Sequence, residues 1–295
     1  MYPDLHRHLD GSLRPATVHD LARAKGLDVP SPLAFSAGMG LEAALACFRF
    51  TLSLLDTPAA VERVAREICE DALADGVSTL EIRFAPHLHG PDAGSFVEAA
   101  VTGAAGRAGI VLCGLYGDAP AVLDHLVDLA VPGVVGLDLA GGPSPAQSFA
   151  LADYAGPFTR ARERGLGRTV HASEGRSPEE IRTAVEVLHA QRIGHGTTLL
   201  EDGSVLDLVL ERGVTIEACP TSNVHTGCIP TVDAHPLPRW LELGVRCCVN
   251  TDNTLFSAVT ASGEHARVAR IPAMRPEWME RLRQTGREAA FVSVA

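Results

Sequence analysis

An α/β protein of the (β/α)8 barrel class is what the sequence predicts. Eight short runs rich in apolar and β-branched residues recur along the 295 residues. Stretches with helical spacing of apolar side chains separate them, the alternation that builds a parallel sheet. No low-complexity linker or short-period repeat divides the chain, so residues 1–295 are expected to form one barrel domain.

In chain order the strands are expected at "LHRHLD" (5–10), "STLEIRFAP" (78–86), "IVLCGLY" (110–116) and "GVVGLDLAG" (133–141). They continue at "GRTVHAS" (167–173), "QRIGHG" (191–196), "VTIEACP" (214–220) and "VRCCVNTD" (245–252). The gap from 10 to 78 is too long for one crossover, so extra helices are expected there, lying over the barrel mouth. Within it, "TPAAVERVAREICEDALADG" starts with a Thr57 cap and Pro58 at the first helical position. Val61, Val64, Ile68 and Ala72 then fall on one face. "SPEEIRTAVEVLHA" offers a capping box from Ser177 to Glu180.

Composition removes several classes. A formal charge of −11 opposes a nucleic-acid surface, because phosphates want a basic face. No run of 18 or more apolar residues predicts a membrane span, and no leader with an apolar segment and cleavage site is seen. The cysteines (Cys47, Cys69, Cys113, Cys219, Cys228, Cys247, Cys248) are scattered without a CxxC pair, so a cytoplasmic protein is expected. Lys25 is the only lysine, on an amphipathic helical stretch, which leaves no candidate for Schiff-base chemistry or a carbamylated-lysine bridge.

The metal-capable residues fall on strand ends. His6 and His8, at i and i+2, share one face of strand 1, with Arg7 facing the other way. His171 ends strand 5, with Glu174 three residues on, while His195 ends strand 6 and Asp252 ends strand 8. A barrel gathers its catalytic groups at this end. Imidazoles plus a carboxylate suit Zn2+ with one position left for water, and a nearby carboxyl and imidazole make metal-assisted hydrolysis the expected chemistry. The second HxH, His87 and His89, is expected to stay outside that site, and Cys219 is expected to pack or shape its loop. Ser222 and Asn223 are expected to buttress the site. Among His19, His125, His189, His225, His235 and His265, most are expected to be solvated.

The stretches "HRHLDGSL", "LEIRFAPHLH", "GLDLAG", "HASEGRSPEEI", "RIGHGTTLLED", "EACPTSN" and "NTDN", from residue 5 to about 257, resemble the adenosine deaminase family in its order. The tail "RLRQTGREAAFVS" is similar to that family's last helix. The resemblance implies one Zn2+ per chain, held by His6, His8, His171 and Asp252. It implies hydrolytic deamination of adenosine or a related 6-aminopurine nucleoside. Glu174 would protonate purine N1 while hydroxide attacks C6, with His195 and Asp252 completing the catalytic set. His8, Asp10, Gly141 and Asn253 would contact substrate. The partner is then a small molecule, and a homodimer stays open.

Three departures stand beside these motifs. Asn253 replaces a frequent aspartate at purine N7, where an amide donates at any pH. "DLAGGP" carries Gly142 and Pro143 where an acidic residue is usual, and Ser173 replaces the glycine of "HAGE". Both changes are expected beside the pocket. They leave as alternatives a modified adenosine of the aminodeoxyfutalosine type or another cyclic amidine of secondary metabolism, and a binding homologue without catalysis.

Overall fold

The computed structural model describes residues 1–144 and 147–291. Its elements run β1 (Tyr2–His8), α1 (Pro15–Lys25), α2 (Leu41–Leu54), α3 (Pro58–Ala74), β2 (Val77–Phe84), α4 (Ala93–Ala104), β3 (Gly109–Leu115), α5 (Pro120–Asp128) and β4 (Val134–Ala140). They continue with α6 (Ala155–Glu163), β5 (Gly167–Ala172), α7 (Glu179–Glu186), β6 (Arg192–His195), α8 (Gly203–Arg212) and β7 (Thr215–Ala218). Last come α9 (Pro220–His225), α10 (Leu237–Glu242), β8 (Arg246–Val249), α11 (Ala261–Val268) and α12 (Pro276–Ala289). The eight strands pair in parallel in sequence order, β1 to β8, as the alternation of strand and helix predicts. The final residues of the tail motif, 292–293, lie outside the described residues.

Closure of the barrel runs through Asp252. Its backbone N–H donates to the His6 carbonyl and its carbonyl accepts from the His8 N–H, both at 2.8 Å. The same two bonds that join the last strand segment to the first therefore seat the Asp252 side chain beside both histidines. Asp252 was expected to end strand 8, but the strand stops at Val249, and Asp252 forms an isolated bridge with Arg7. β1 also departs from simple alternation, with a register shift between Asp4 and Arg7. Arg7 is buried and lies 2.7 Å from Asp4, away from the histidines.

The extra helices are present. α3 starts as predicted, with the Thr57 hydroxyl accepting from the Ala60 N–H (3.3 Å) and Val61, Val64, Ile68 and Ala72 buried. α2 borders the mouth, where Phe48 joins Phe35 and Phe256 in a small aromatic cluster. No single described helix is long and apolar enough to cross a membrane.

One expected helix start fails. The capping box does not form: Glu180 instead accepts from the Ser173 N–H (2.7 Å) and the Arg176 Nε (2.8 Å), so it braces the loop after β5 rather than its own helix. Of the six histidines expected to be mostly solvated, His19, His125, His189 and His225 keep exposure, while His235 and His265 are buried. Burial pushes His235 down to about 3 and His265 to about 4, so both are held neutral.

Beneath the mouth the barrel interior holds charge as well as apolar side chains. Glu81, Arg83, Asp138, Arg192 and Glu217 project from β2, β4, β6 and β7 and are all buried. Arg83 donates to Asp138 and Glu217 (2.9 Å each) and to the Leu5 carbonyl (2.6 Å). Arg192 pairs with Glu81 and with Glu217 (2.7 Å). Three carboxylates thus face two guanidiniums, and the excess negative charge lies directly under the histidines.

Candidate active site

Residues from the ends of four strands, β1, β5, β6 and β8, meet at one point. His6 Nε2 lies 3.6 Å and His8 Nε2 3.4 Å from Asp252 Oδ1, and His8 Nε2 lies 3.3 Å from His171 Nε2. The ligand atoms of His6, His8 and His171 all fall within 4.8 Å of one another. Gly194 on β6 leaves room for this approach, since a Cβ there would sit 3.0 Å from the His6 ring. His195 ends β6 and Glu174 follows β5, with His195 Nδ1 3.9 Å from Glu174 Oε1.

How the chain turns out of the barrel explains the placement. Ser173, His195 and Asp252 have φ of 57°, 67° and 61°, a left-handed conformation uncommon for residues other than glycine. Each sits at or just past a strand end, where the ladder stops and the chain must swing across the mouth. Such backbone persists only where the surroundings hold it. Here Thr197 donates to the Ser173 carbonyl (2.9 Å), and Asp252 is tied by the closure bonds above.

Two carboxylates unforeseen in the sequence reading orient the imidazoles. Glu217 Oε2 lies 2.7 Å from His6 Nδ1, and Asp138 Oδ1 lies 3.2 Å from His171 Nδ1. Each engages the nitrogen facing away from the cluster, which directs Nε2 inward, the usual carboxylate–histidine support of a metal ligand. The signal was available: a glutamate in "VTIEACP" and an aspartate in "GLDLAG" interrupt runs that otherwise read as apolar interior strands.

Electrostatics follow from burial. It lowers His6 and His8, with Arg83 and the neighbouring imidazoles adding to the effect, so both are neutral and their lone pairs are free. Burial also disfavours charge on His171, but Asp138 outweighs it and the pKa is raised. His195 is pushed down to about 3 by burial, and Glu174 and Asp252 are pushed up by the same cause. Asp10 is raised to about 7.

His8, Asp10, Gly141, His171, Glu174, His195, Asp252 and Asn253 all line one cavity of about 900 Å3, counting space open to solvent. His6 lies behind it, fully buried. Gly11 permits Asn253 its place: a Cβ at Gly11 would come within 1.9 Å of Asn253 Oδ1. Ser222 joins the lining, and Asn223 Nδ2 donates to His195 Nδ1 (3.1 Å). The two loop departures do not face the cavity. Ser173 is buried with its hydroxyl on the Ser177 carbonyl (2.8 Å), and Gly142 backs onto Arg176 and Leu41. Both changes thus lie beside the cavity as expected, next in the chain to Gly141 and Glu174, which line it.

His87 and His89 stay apart from the cluster. His87 pairs with Asp118 (3.0 Å), and His89 is buried with Nδ1 on the Leu55 carbonyl (2.9 Å). Cys219 lies within ligand distance of His6 and Asp252, yet burial pushes its thiol well up. Its contact to the Glu217 carbonyl suits the packing role expected of it.

Arg83→Met is expected to destabilise the protein by roughly 3 to 5 kcal/mol, because it strands two buried carboxylates. Denaturant unfolding against the parent protein measures this. A loss under about 1 kcal/mol would mean that the buried network carries little.

The model of the family described as adenosine deaminase matches residues 3–295. An adenosine deaminase of Vibrio atlanticus is 33% identical over 312 aligned residues, covering 98% of this chain and 93% of the relative. Among solved structures, adenine deaminase of Arthrobacter aurescens superposes with a TM-score of 0.89 at 24% identity, covering 99% of this chain and 95% of the other. An amidohydrolase of Burkholderia ambifaria, solved with bound Zn, gives 0.88 at 22% identity, covering 99% and 86%.

Proposed function

This chain belongs to the adenosine deaminase family, and from that premise we propose that it is a Zn2+-dependent aminohydrolase that converts adenosine or a closely related 6-aminopurine nucleoside to the 6-oxo product and ammonia. One observation carries the reading. Buried imidazole nitrogens and the Asp252 carboxylate converge at a cavity floor that also holds a buried carboxyl and a further imidazole. His6 Nε2 is buried without a hydrogen-bond partner, an acceptor that a cation would satisfy. The excess negative charge of the Asp138, Glu217 and Glu81 layer favours a divalent ion there.

His6, His8, His171 and Asp252 would hold the metal. Bound there, Zn2+ supplies hydroxide at neutral pH by lowering the pKa of its water from about 16 to about 7. Glu174, whose carboxyl burial pushes up, would deliver a proton to ring N1, which makes C6 electrophilic. Asn223 donates to His195 Nδ1, so the neutral ring carries its proton on Nε2. That N–H can orient the attacking water and stabilise charge on its oxygen. Asp10 Oδ1 and Asn253 Oδ1 are buried without partners, which leaves both side chains hydrogen-bonding capacity for a bound nucleoside. Gly141, at φ 78°, presents bare backbone on the same wall.

The test is direct. The purified protein loaded with Zn2+ should bleach the adenosine absorbance band and release ammonia. If adenosine, deoxyadenosine, adenine and a 5′-modified adenosine are all left intact, the reading fails.

A further inference from the structure

We propose that the cavity selects an uncharged nucleoside whose end remote from the ring amine is apolar, such as a 5′-deoxy-5′-alkylthioadenosine, and rejects 5′-phosphates. This rests on the deaminase reading and narrows its substrate.

The cavity wall is divided. Its titratable groups, His8, His171, His195, Glu174 and Asp252 with Asp10 at their side, gather on the floor where the ring amine must be placed. The outer wall is apolar and comes chiefly from α2: Leu41, Leu45, Phe48 and Leu52, faced by Leu88 from the turn after β2. Phe48 joins the two regions, its ring 6.2 Å from that of His8. With its amine on the floor, a nucleoside extends its remaining atoms along this wall.

Two features make the wall a recognition surface. Leu45 and Leu88 are 42% and 41% exposed, and both line the cavity. Exposed leucines in a cavity lining are stabilised when an apolar group covers them. Charge points the same way. Among the described residues no arginine or lysine lines the cavity. Arg176 lies behind Gly142 with its Nε on Glu180 and is not part of the lining. A phosphate dianion would find no guanidinium or ammonium in the lining to pair with.

The test compares adenosine, 5′-deoxy-5′-methylthioadenosine and adenosine 5′-monophosphate on the Zn2+-loaded enzyme. The expected kcat/KM for the methylthio compound is at least that of adenosine, and for the monophosphate at least about 100-fold lower, the scale of rejection when a polar group finds no partner. Leu45→Gln, a change at an exposed position, should lower kcat/KM for the methylthio compound on the order of tenfold more than for adenosine. A monophosphate within tenfold of adenosine, a methylthio compound more than tenfold worse, or a gap unmoved by Leu45→Gln overturns the proposal. Dissociation constants for the same three compounds are measured on Glu174→Gln. If no nucleoside is turned over, the deaminase reading fails, and the order of these constants still decides the inference by the same thresholds.

Discussion

Glu174→Gln lowers kcat for nucleoside deamination by on the order of 10^3-fold, while the protein still binds one Zn2+ per chain. The substitution keeps shape and volume at a position that is 5% exposed, so the fold is retained. It removes the only function that the burial of Glu174 prepares. Desolvation favours the neutral carboxyl, the form that can give a proton to a ring nitrogen. Glutamine donates a hydrogen bond but transfers no proton, so substrate binding survives and chemistry does not. Steady-state kinetics with metal analysis of the same sample separates the two, with KM expected to change far less than kcat. A variant that holds zinc and keeps the parental rate would remove Glu174 from the mechanism.

Stripping the metal with a chelator, or replacing His171 with alanine, reduces turnover to background. Without a metal, water at the floor keeps its pKa of about 16 rather than about 7, so hydroxide is scarce at neutral pH. Zinc restores activity to the stripped parent protein and not to His171→Ala. The same experiment has a thermodynamic reading. Three imidazoles and a carboxylate crowd a buried floor, and a ligand that binds only the folded state stabilises it by mass action. At free zinc 100-fold above its dissociation constant the gain is about 2.7 kcal/mol, visible as a raised unfolding midpoint. Activity and melting temperature both indifferent to chelation would sink the metal assignment.

Part of this site was legible in the chain. His6 and His8 at i and i+2 share a strand face whatever surrounds them, and His171, His195 and Glu174 sit where apolar runs end. The Thr57 cap and the buried face of α3 were legible for the same reason, since capping and helical spacing act over a few residues. Where a local rule met a longer-range competitor, it lost. Glu180 has the capping-box spacing from Ser177, but the Ser173 N–H and Arg176 offered it better partners. His235 and His265 carry no sequence mark that distinguishes a buried imidazole from a solvated one.

The sequence by itself determined the alternation of strands and helices, hence the parallel barrel, and the residue types that reach its mouth. Periodicity and residue chemistry are local properties, and eight strand–helix alternations leave few closed arrangements. Only the tertiary structure decided which groups support the histidines and what faces the substrate. Glu217 is 211 residues from the His6 it holds, Asp138 is 33 from His171, and Arg83 joins both carboxylates across the barrel. No spacing rule reaches across such separations, because those partners are chosen by barrel closure and by the need to pair every buried charge. The apolar wall of α2 was set in the same way. Its leucines read as ordinary helix residues until the long excursion between β1 and β2 folds back over the mouth.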